Sequence, residues 1–130
     1  MDDASTLRRG SIIWITAPDP AGRNPKQRAF VIISDCAGLK AGETVTAVAV
    51  TSTFREPVGA ALVPMRWNAR GTTETKFKRK CFAKADWLLQ VEIIAAADGS
   101  AVFDGQHDGA YVRDKELRLI AEAITKIRGS

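Results

Sequence analysis

A single helical pattern lies at the C-terminal end of this 130-residue chain, after a series of short strand-like runs. In the segment DKELRLIAEAITKIR, residues 114–128, apolar side chains recur every three or four positions, at Leu117, Ile120, Ile124 and Ile127. Asp114 is placed to cap the start of this helix, and Gly129 suits its end. The pattern predicts an amphipathic helix that must bury one face against whatever precedes it.

The rest of the chain has the short β-branched and aromatic runs that are typical of strands. We predict strands over residues 11–16, 29–34, 44–53, 60–65 and 100–103, and one or two more within 76–90. Residues 17–27 contain three prolines and a glycine and are predicted to form a loop. Many short strands followed by one helix predict a mainly β (α+β) fold, in which a small, strongly bent antiparallel sheet or partly open barrel packs against the helix.

Length and composition predict a single domain over residues 1–130, with residues 1–8 as a flexible tail. Neither an apolar run of about 20 residues nor an apolar leader is present, so we expect a cytoplasmic protein that does not cross a membrane. Cys36 and Cys81 could pair, but without a secretion signal we expect two free, buried thiols. They lie too far from the lone His107 for a zinc site, so we expect neither a metal nor a cofactor.

Polar residues at strand ends are the first candidates for chemistry. Arg28 begins the second predicted strand, and Thr51 and Ser52 end the third. If these strands are neighbours, the three side chains meet at one edge of the sheet. Arginine presents a planar fork of donors that matches phosphate, and a hydroxyl beside it can bind a phosphate oxygen or a sugar hydroxyl. The alternative is an arginine that only stabilises a strand end, and the residue types alone do not decide.

Two basic stretches are the second candidate feature, in a chain whose formal charge is +4 and whose pI is near 9.3. They are GRNPKQR at residues 22–28 and KFKRK at residues 76–80, with Lys84 just beyond, and Trp67 and Phe77 lie near the second. Cations that follow phosphates, together with aromatic rings that stack on bases, are typical of single-stranded RNA binding. A solvated basic face whose aromatic rings belong to the core is the alternative.

These segments together resemble the MazF/PemK family of toxin ribonucleases. RRGSIIWI is similar to the family's first strand, KQRAFVIIS to its basic second strand, and AVAVTSTF to the strand that ends in a threonine. ALVPM and CFAKADWL resemble the two strands that follow, and the terminal helix lies where the family has its own. The resemblance covers most of residues 8–128.

The resemblance implies an SH3-like barrel of the CcdB/PemK type that forms a homodimer and cleaves single-stranded RNA without a metal. It also implies inhibition by a cognate antitoxin with an acidic tail. By position, Arg28 would be the catalytic arginine and Thr51 the catalytic hydroxyl, with Ser52 beside it. The other residues that would contact RNA are Arg23, Lys26, Gln27, Phe54, Lys84 and Asp86.

The sequence departs from the family pattern in places that matter for specificity. Ala29 follows Arg28 where the family has proline, the basic stretch around residues 68–80 is longer than usual, and residues 97–113 have no obvious counterpart. The expected function is a type II toxin–antitoxin endoribonuclease that produces 2′,3′-cyclic phosphate and 5′-hydroxyl ends. The alternative is a non-catalytic inhibitor that binds a protein such as gyrase, or a degenerate binding module, on the same fold.

Overall fold

The computed structural model describes residues 2–56 and 58–129. Within these residues, seven strands precede one helix: β1 (Asp2–Asp3), β2 (Ile12–Ala17), β3 (Lys26–Ile32), β4 (Thr44–Thr51), β5 (Leu62–Pro64), β6 (Phe82–Ala95), β7 (Ala101–Phe103) and α1 (Asp114–Arg128). A short 3-10 helix, Ala4–Thr6, follows β1.

The strands form an antiparallel sheet in the order β1-β7-β6-β4-β3-β2, and β5 pairs with the start of β6 on the edge opposite β4. The sheet has two ends and does not close into a ring. Isolated bridges from Ser11 to Tyr111 and from Trp14 to Gln106 join the β2 edge to the segment that precedes the helix. The mainly β class, with an open, antiparallel barrel-like sheet and one C-terminal helix, is therefore confirmed.

Alternation along the strands builds a core on each face of the sheet. In β3, Ala29 and Val31 pack in a cluster that also contains Ile120 of the helix. Phe30 and Ile32 belong to the cluster on the other face. Burying a side chain of this size contributes about 1.5–3 kcal/mol, so β3 is anchored from both faces.

The ends of the helix differ from the expectation. Arg113, not Asp114, is the N-cap residue, and Asp114 is the first residue of the helix. The Arg113 guanidinium instead bonds Glu116 in the first turn, at 2.6 Å from Nη2 to Oε1. Gly129 ends the helix by donating its N–H to the Thr125 carbonyl at 2.7 Å, but its φ of −87° is right-handed and does not require glycine.

Three predicted segment boundaries are wrong. Residues 2–8 are not a flexible tail: β1 pairs with β7, and Ala4 and Leu7 are buried because they complete the core beside Phe103. Residue 1 lies outside the described residues. The strand predicted within 76–90 begins only at Phe82, because Lys76 has a left-handed φ of 61° that interrupts an extended chain. Finally, β3 begins at Lys26, earlier than predicted, because residues 26–28 pair with β2.

No helix in the described part of the chain is both long and apolar enough to span a membrane.

Candidate active site

The ends of β3 and β4 bring Arg28 and Thr51 to one place. The two strands pair from Ile32–Ala47 to Phe30–Ala49. Continued by two residues, this register sets Arg28 opposite Thr51. Both residues line a cleft of about 470 Å³ between the strand ends, together with Ser52.

The Arg28 side chain is half-buried and held from three directions. Its Nε donates to the Ala17 carbonyl at 2.9 Å, and its Nη2 donates to the Asn24 carbonyl at 2.8 Å. Its guanidinium carbon lies 5.1 Å from the centroid of the Trp87 ring, on which the cation stacks. These contacts occupy two of the five N–H donors that arginine offers, so three donors remain for a ligand.

A turn organised by Asp19 supplies one of these contacts. The Asp19 carboxylate accepts from the backbone N–H groups of Ala21 and Arg23, and its Oδ2 accepts from the Asn24 side-chain amide. The bond from the Arg23 N–H is the largest influence that lowers the pKa of Asp19, so the carboxylate stays charged. Asn24 adopts a left-handed φ of 53° in this turn, from which its carbonyl reaches Arg28.

Thr51 makes a local turn at the end of β4. Its hydroxyl accepts from the Thr53 N–H at 3.1 Å and lies 3.2 Å from the Thr53 carbonyl, to which it can donate. Ser52 is exposed beside it. A hydroxyl in such a turn has a fixed position, and its proton can turn from the carbonyl to a ligand oxygen.

The cleft is strongly cationic. Its lining includes five basic side chains, namely Lys26, Arg28, Lys76, Lys78 and Arg79. Phe77 and Cys81, both buried, contribute apolar surface from the same loop. The cleft thus offers cations and hydroxyls around an apolar floor, which is the combination that a phosphodiester chain with exposed bases requires.

The structure groups the predicted site residues in two sets. Five of them line the cleft, namely Lys26, Gln27, Arg28, Thr51 and Ser52. Arg23 is exposed in the Asp19 turn, outside the set that lines the cleft.

The remaining three predicted residues are occupied elsewhere. Phe54 packs on Phe82 with ring centroids 4.7 Å apart, beneath Lys80. Lys84 and Asp86 form an ion pair with each other at 2.8 Å. Asp86 lies within a bulge of β6 at residues 85–87, where the register with β4 shifts, and Lys84 borders this bulge. The bulge also contains Trp87, so its contribution to the site is the ring beneath Arg28, while the Asp86 charge is paired with Lys84.

Four residues that line the cleft were not individually predicted as site residues, namely Trp14, Lys76, Lys78 and Arg79. The lysines and the arginine belong to the KFKRK stretch, whose charge was noted but whose position was not predictable from local pattern. Trp14 lies on β2 opposite Ala29, and its place in a strand does not indicate that it lines the cleft.

Ion pairs attach the basic loop to the helix. Glu74 bridges Arg66, at 2.8 Å, and Arg113, at 3.4 Å. The buried Thr75 hydroxyl donates to the Arg66 carbonyl at 2.6 Å, and the Tyr111 N–H donates to the Glu74 carbonyl. The loop that carries the cations of the cleft is therefore held in place, although it contains no regular secondary structure.

Both cysteines are free and buried. Burial raises the pKa of the Cys81 thiol to about 12, and burial also raises the pKa of Cys36. Both groups are therefore protonated near neutral pH, and a thiol is a poor nucleophile. Within residues 2–56 and 58–129, no three His, Cys, Asp or Glu side chains are grouped as a metal site.

Comparison with known proteins relates this architecture to one class of toxin. No family model matches the sequence, and no curated protein matches it. Solved structures do match. A MazE–MazF complex from Deinococcus radiodurans is 15% identical with a TM-score of 0.62, over 95% of this chain and 96% of that one. An endoribonuclease from a mycobacterial species is 18% identical with a TM-score of 0.59, over 95% and 92% of the two chains.

The Mycobacterium tuberculosis toxin MazF-mt6 is also similar, at 19% identity and a TM-score of 0.57, over 90% of this chain and 95% of that one. The fold is thus that of the MazF toxins. The resemblance predicted from the sequence is confirmed at the level of the fold.

Proposed function

We propose that this chain is the toxin of a type II toxin–antitoxin system, an endoribonuclease of the MazF/PemK family that cleaves single-stranded RNA and so inhibits translation and growth. The observation that carries the proposal is the cationic cleft in which Arg28 and Thr51 lie on neighbouring strand ends of a MazF fold. The similar structures named above include an endoribonuclease and a toxin–antitoxin complex, which supports the same activity here.

In the proposed reaction the nucleophile comes from the substrate. The 2′-oxygen of a ribose attacks the adjacent phosphorus, and the bond from phosphorus to the 5′-oxygen breaks. The 2′-hydroxyl loses its proton and the leaving 5′-oxygen gains one, so the products are a 2′,3′-cyclic phosphate and a 5′-hydroxyl. This chemistry needs no metal-activated water, and the protein positions the phosphate and stabilises its charge.

Arg28 and Thr51 have different roles in this reaction. The three guanidinium donors of Arg28 that are not engaged by Ala17 and Asn24 would bind the phosphate oxygens, where negative charge grows in the transition state. The Thr51 hydroxyl, with Ser52 beside it, would bind the same phosphate and relay a proton. Lys26 and Gln27 would contact the RNA on either side. Arg23, Phe54, Lys84 and Asp86 would act only on RNA that extends beyond the cleft.

The test is cleavage of a long, unstructured RNA by the purified protein in EDTA. We expect cleavage by the wild type and products that polynucleotide kinase labels directly at their 5′-hydroxyls. We expect Arg28→Ala and Thr51→Ala each to slow cleavage by roughly 100- to 1,000-fold, the usual effect of removing one transition-state donor. The matched control is Arg118→Ala, which removes an exposed arginine from the helix. A wild type that leaves every such RNA intact would overturn the proposal.

The partners follow from the same function. We propose that the protein acts in the cytoplasm as a single-domain homodimer without a cofactor. We also propose that an antitoxin with an acidic tail occupies the cationic cleft in place of RNA. Co-purification of the antitoxin, and loss of cleavage when it is added, would test this partnership.

A further inference from the structure

A second, smaller pocket adjoins the cleft on the side of the sheet away from the Arg28 side chain. Its volume is about 340 Å³, within the range of small-ligand sites, and it shares Trp14, Gln27 and Lys76 with the cleft. Gln106 and Asp108, from the segment between β7 and the helix, and the buried Thr75 complete it. Gln27 and Arg28 are consecutive in β3, so their side chains point to opposite faces of the strand.

Two amide side chains form the polar part of this pocket. Gln27 Nε2 donates to Gln106 Oε1 at 3.2 Å, and both side chains are exposed. The bond leaves the two N–H donors of Gln106 and the carbonyl oxygen of Gln27 available to a ligand. A donor next to an acceptor is the complement of the edge of a nucleobase, and glutamine pairs with adenine in this two-bonded way.

The half-buried Trp14 supplies the apolar wall. It pairs with Gln106 through two backbone hydrogen bonds, each 2.9 Å long, so the backbones that carry the ring and the amide are held side by side. Gly105 has no space for a side chain, because a Cβ there would meet Phe103 and would lie 2.6 Å from Ile15 Cγ2. The backbone that presents Gln106 is therefore tightly packed.

Lys76 closes the pocket on the side of the basic loop. Its Nζ donates to the Asp108 carbonyl at 2.6 Å and lies 3.8 Å from the Asp108 carboxylate. Lys76 adopts a left-handed φ of 61°, a conformation that costs a non-glycine residue energy and that often marks a binding site. The pocket thus joins two segments that are distant in the sequence, the basic loop and residues 104–113.

We propose that this pocket binds one unstacked base of the RNA, with Trp14 as the stacking surface and the Gln27–Gln106 pair as the reader of the base edge. Sequence-specific recognition of single-stranded RNA relies on this combination of a ring and hydrogen bonds to a base edge. The inference rests on the proposed function, and it adds Gln106 as a residue that determines specificity. Because Gln27 and Arg28 face opposite sides of β3, a nucleotide at the strand end would place its phosphate at Arg28 and its base in this pocket.

The experiment compares wild type, Gln106→Ala and Gln106→Glu on a pool of random single-stranded RNA in EDTA. Cleavage sites and bound sequences are both read out by sequencing. Gln90→Ala is the matched control, because Gln90 is an exposed strand glutamine whose amide bonds Thr46 and which lies outside both pockets. We expect both Gln106 variants to lose the preference for the base at one position by roughly tenfold, while Gln90→Ala keeps it.

The two readouts separate the two proposals. Cleavage by all variants with an identical site preference would overturn the proposed base pocket but would support the proposed nuclease activity. If the wild type does not cleave, the proposed nuclease activity is overturned. The sequences that the protein binds then test the base pocket. A base preference in binding that Gln106→Ala loses would support it, and binding without such a difference would overturn it. Thermal unfolding of each variant verifies that it is folded.

Discussion

The Arg28 guanidinium lies 5.1 Å from the centre of the Trp87 ring, while two of its donors bind backbone carbonyls of the preceding strand and loop. The two interpretations that the residue types left open, a structural arginine and a ligand-binding one, are therefore compatible. Contacts on one side of the guanidinium fix its position, and the donors on the other side remain available. A cation fixed in this way needs little reorganisation when a phosphate arrives, which is the condition for effective electrostatic catalysis.

Replacing Trp87 tests this positioning. We expect Trp87→Leu to lower kcat by roughly two- to thirtyfold with little change in KM, because a cation–π contact contributes about 0.5–2 kcal/mol. Trp87→Phe retains a ring and should recover part of the loss. The measurement is steady-state cleavage of a short RNA, well below the melting temperature, because Trp87 also packs edge-on against Phe30 at 6.1 Å.

The control for this prediction is Trp67→Leu, since Trp67 is 43% exposed and lies outside the cleft lining. Equal rates for Trp87→Leu and Trp67→Leu would show that the ring does not position Arg28.

The Asp19 turn should matter for activity more than for stability. Because Asp19 is only half-buried and its hydrogen bonds are local, we expect Asp19→Ala to leave thermal unfolding almost unchanged. Its loss frees Asn24, so the Arg28 side chain loses a fixed acceptor and cleavage slows. The pKa of Asp19 is lowered from 3.8, so the turn persists above that pH and is lost as the pH falls below it.

A closely matched control exists for this variant. Asp98 is exposed, accepts from the Ser100 N–H at 2.9 Å in a similar turn, and also has a lowered pKa, but it lies away from the cleft. Cleavage by Asp98→Ala should match the wild type. A similar loss of activity in both variants would mean that the Asp19 turn has no specific role.

Short-range patterns were sufficient for most of the fold. Alternation and turn residues located β2, β4, β5 and β7, and helical spacing located α1. The prediction that Arg28 and Thr51 lie close together assumed that two consecutive strands are neighbours in the sheet. β3 and β4 are indeed paired. The start of β3 was missed because Lys26 and Gln27 are polar, although they pair with Ala17 and Thr16. Pairing depends on the partner strand and not only on the hydrophobicity of the segment.

The basic loop could not be placed from local pattern. Its position depends on the ion pairs of Glu74 with Arg66 and Arg113 and on the buried Thr75, which join residues far apart in the chain. Phe77 and Cys81 alternate in the sequence as a strand would, but they are buried from an irregular loop. The base pocket, and the wall that Lys76 provides for it, could therefore not be predicted from the sequence.

RNA affinity should depend steeply on salt, because cations of the cleft would displace counterions from phosphates. For single strands the slope of log K against log salt is about −0.7 per phosphate contact, so Lys78→Ala/Arg79→Ala should flatten the slope by about 1.4. Both side chains are exposed and line the cleft. The measurement is fluorescence anisotropy of a labelled RNA over a salt series.

The control is the double variant Lys115→Ala/Arg118→Ala, which removes the same charge from the helix and should leave the slope unchanged. Equal slopes for the two double variants would exclude the loop as the RNA surface.

Glu116 should make the stability of the fold depend on pH in the acid range. Burial is the largest single influence and acts to raise its pKa. The hydrogen bond from Arg113, a backbone hydrogen bond and the charges of Arg113 and Arg66 together outweigh burial, so the pKa lies below the ordinary value of 4.5. Protonation therefore favours the unfolded chain: the stabilisation is complete above pH 4.5 and is lost as the pH falls toward the lower, folded value.

Glu116→Gln removes the charge and keeps the size of this buried side chain. We expect it to lower the free energy of unfolding by about 1.5–3 kcal/mol near neutral pH, the usual contribution of hydrogen bonds to a charged group. In acid the free energies of unfolding of the wild type and the variant should become equal. Denaturant unfolding over a pH series measures both, with the exposed Glu122→Gln on the same helix as the control. A difference between wild type and Glu116→Gln that stays constant from neutral to acid pH would show that the Glu116 charge does not stabilise the fold.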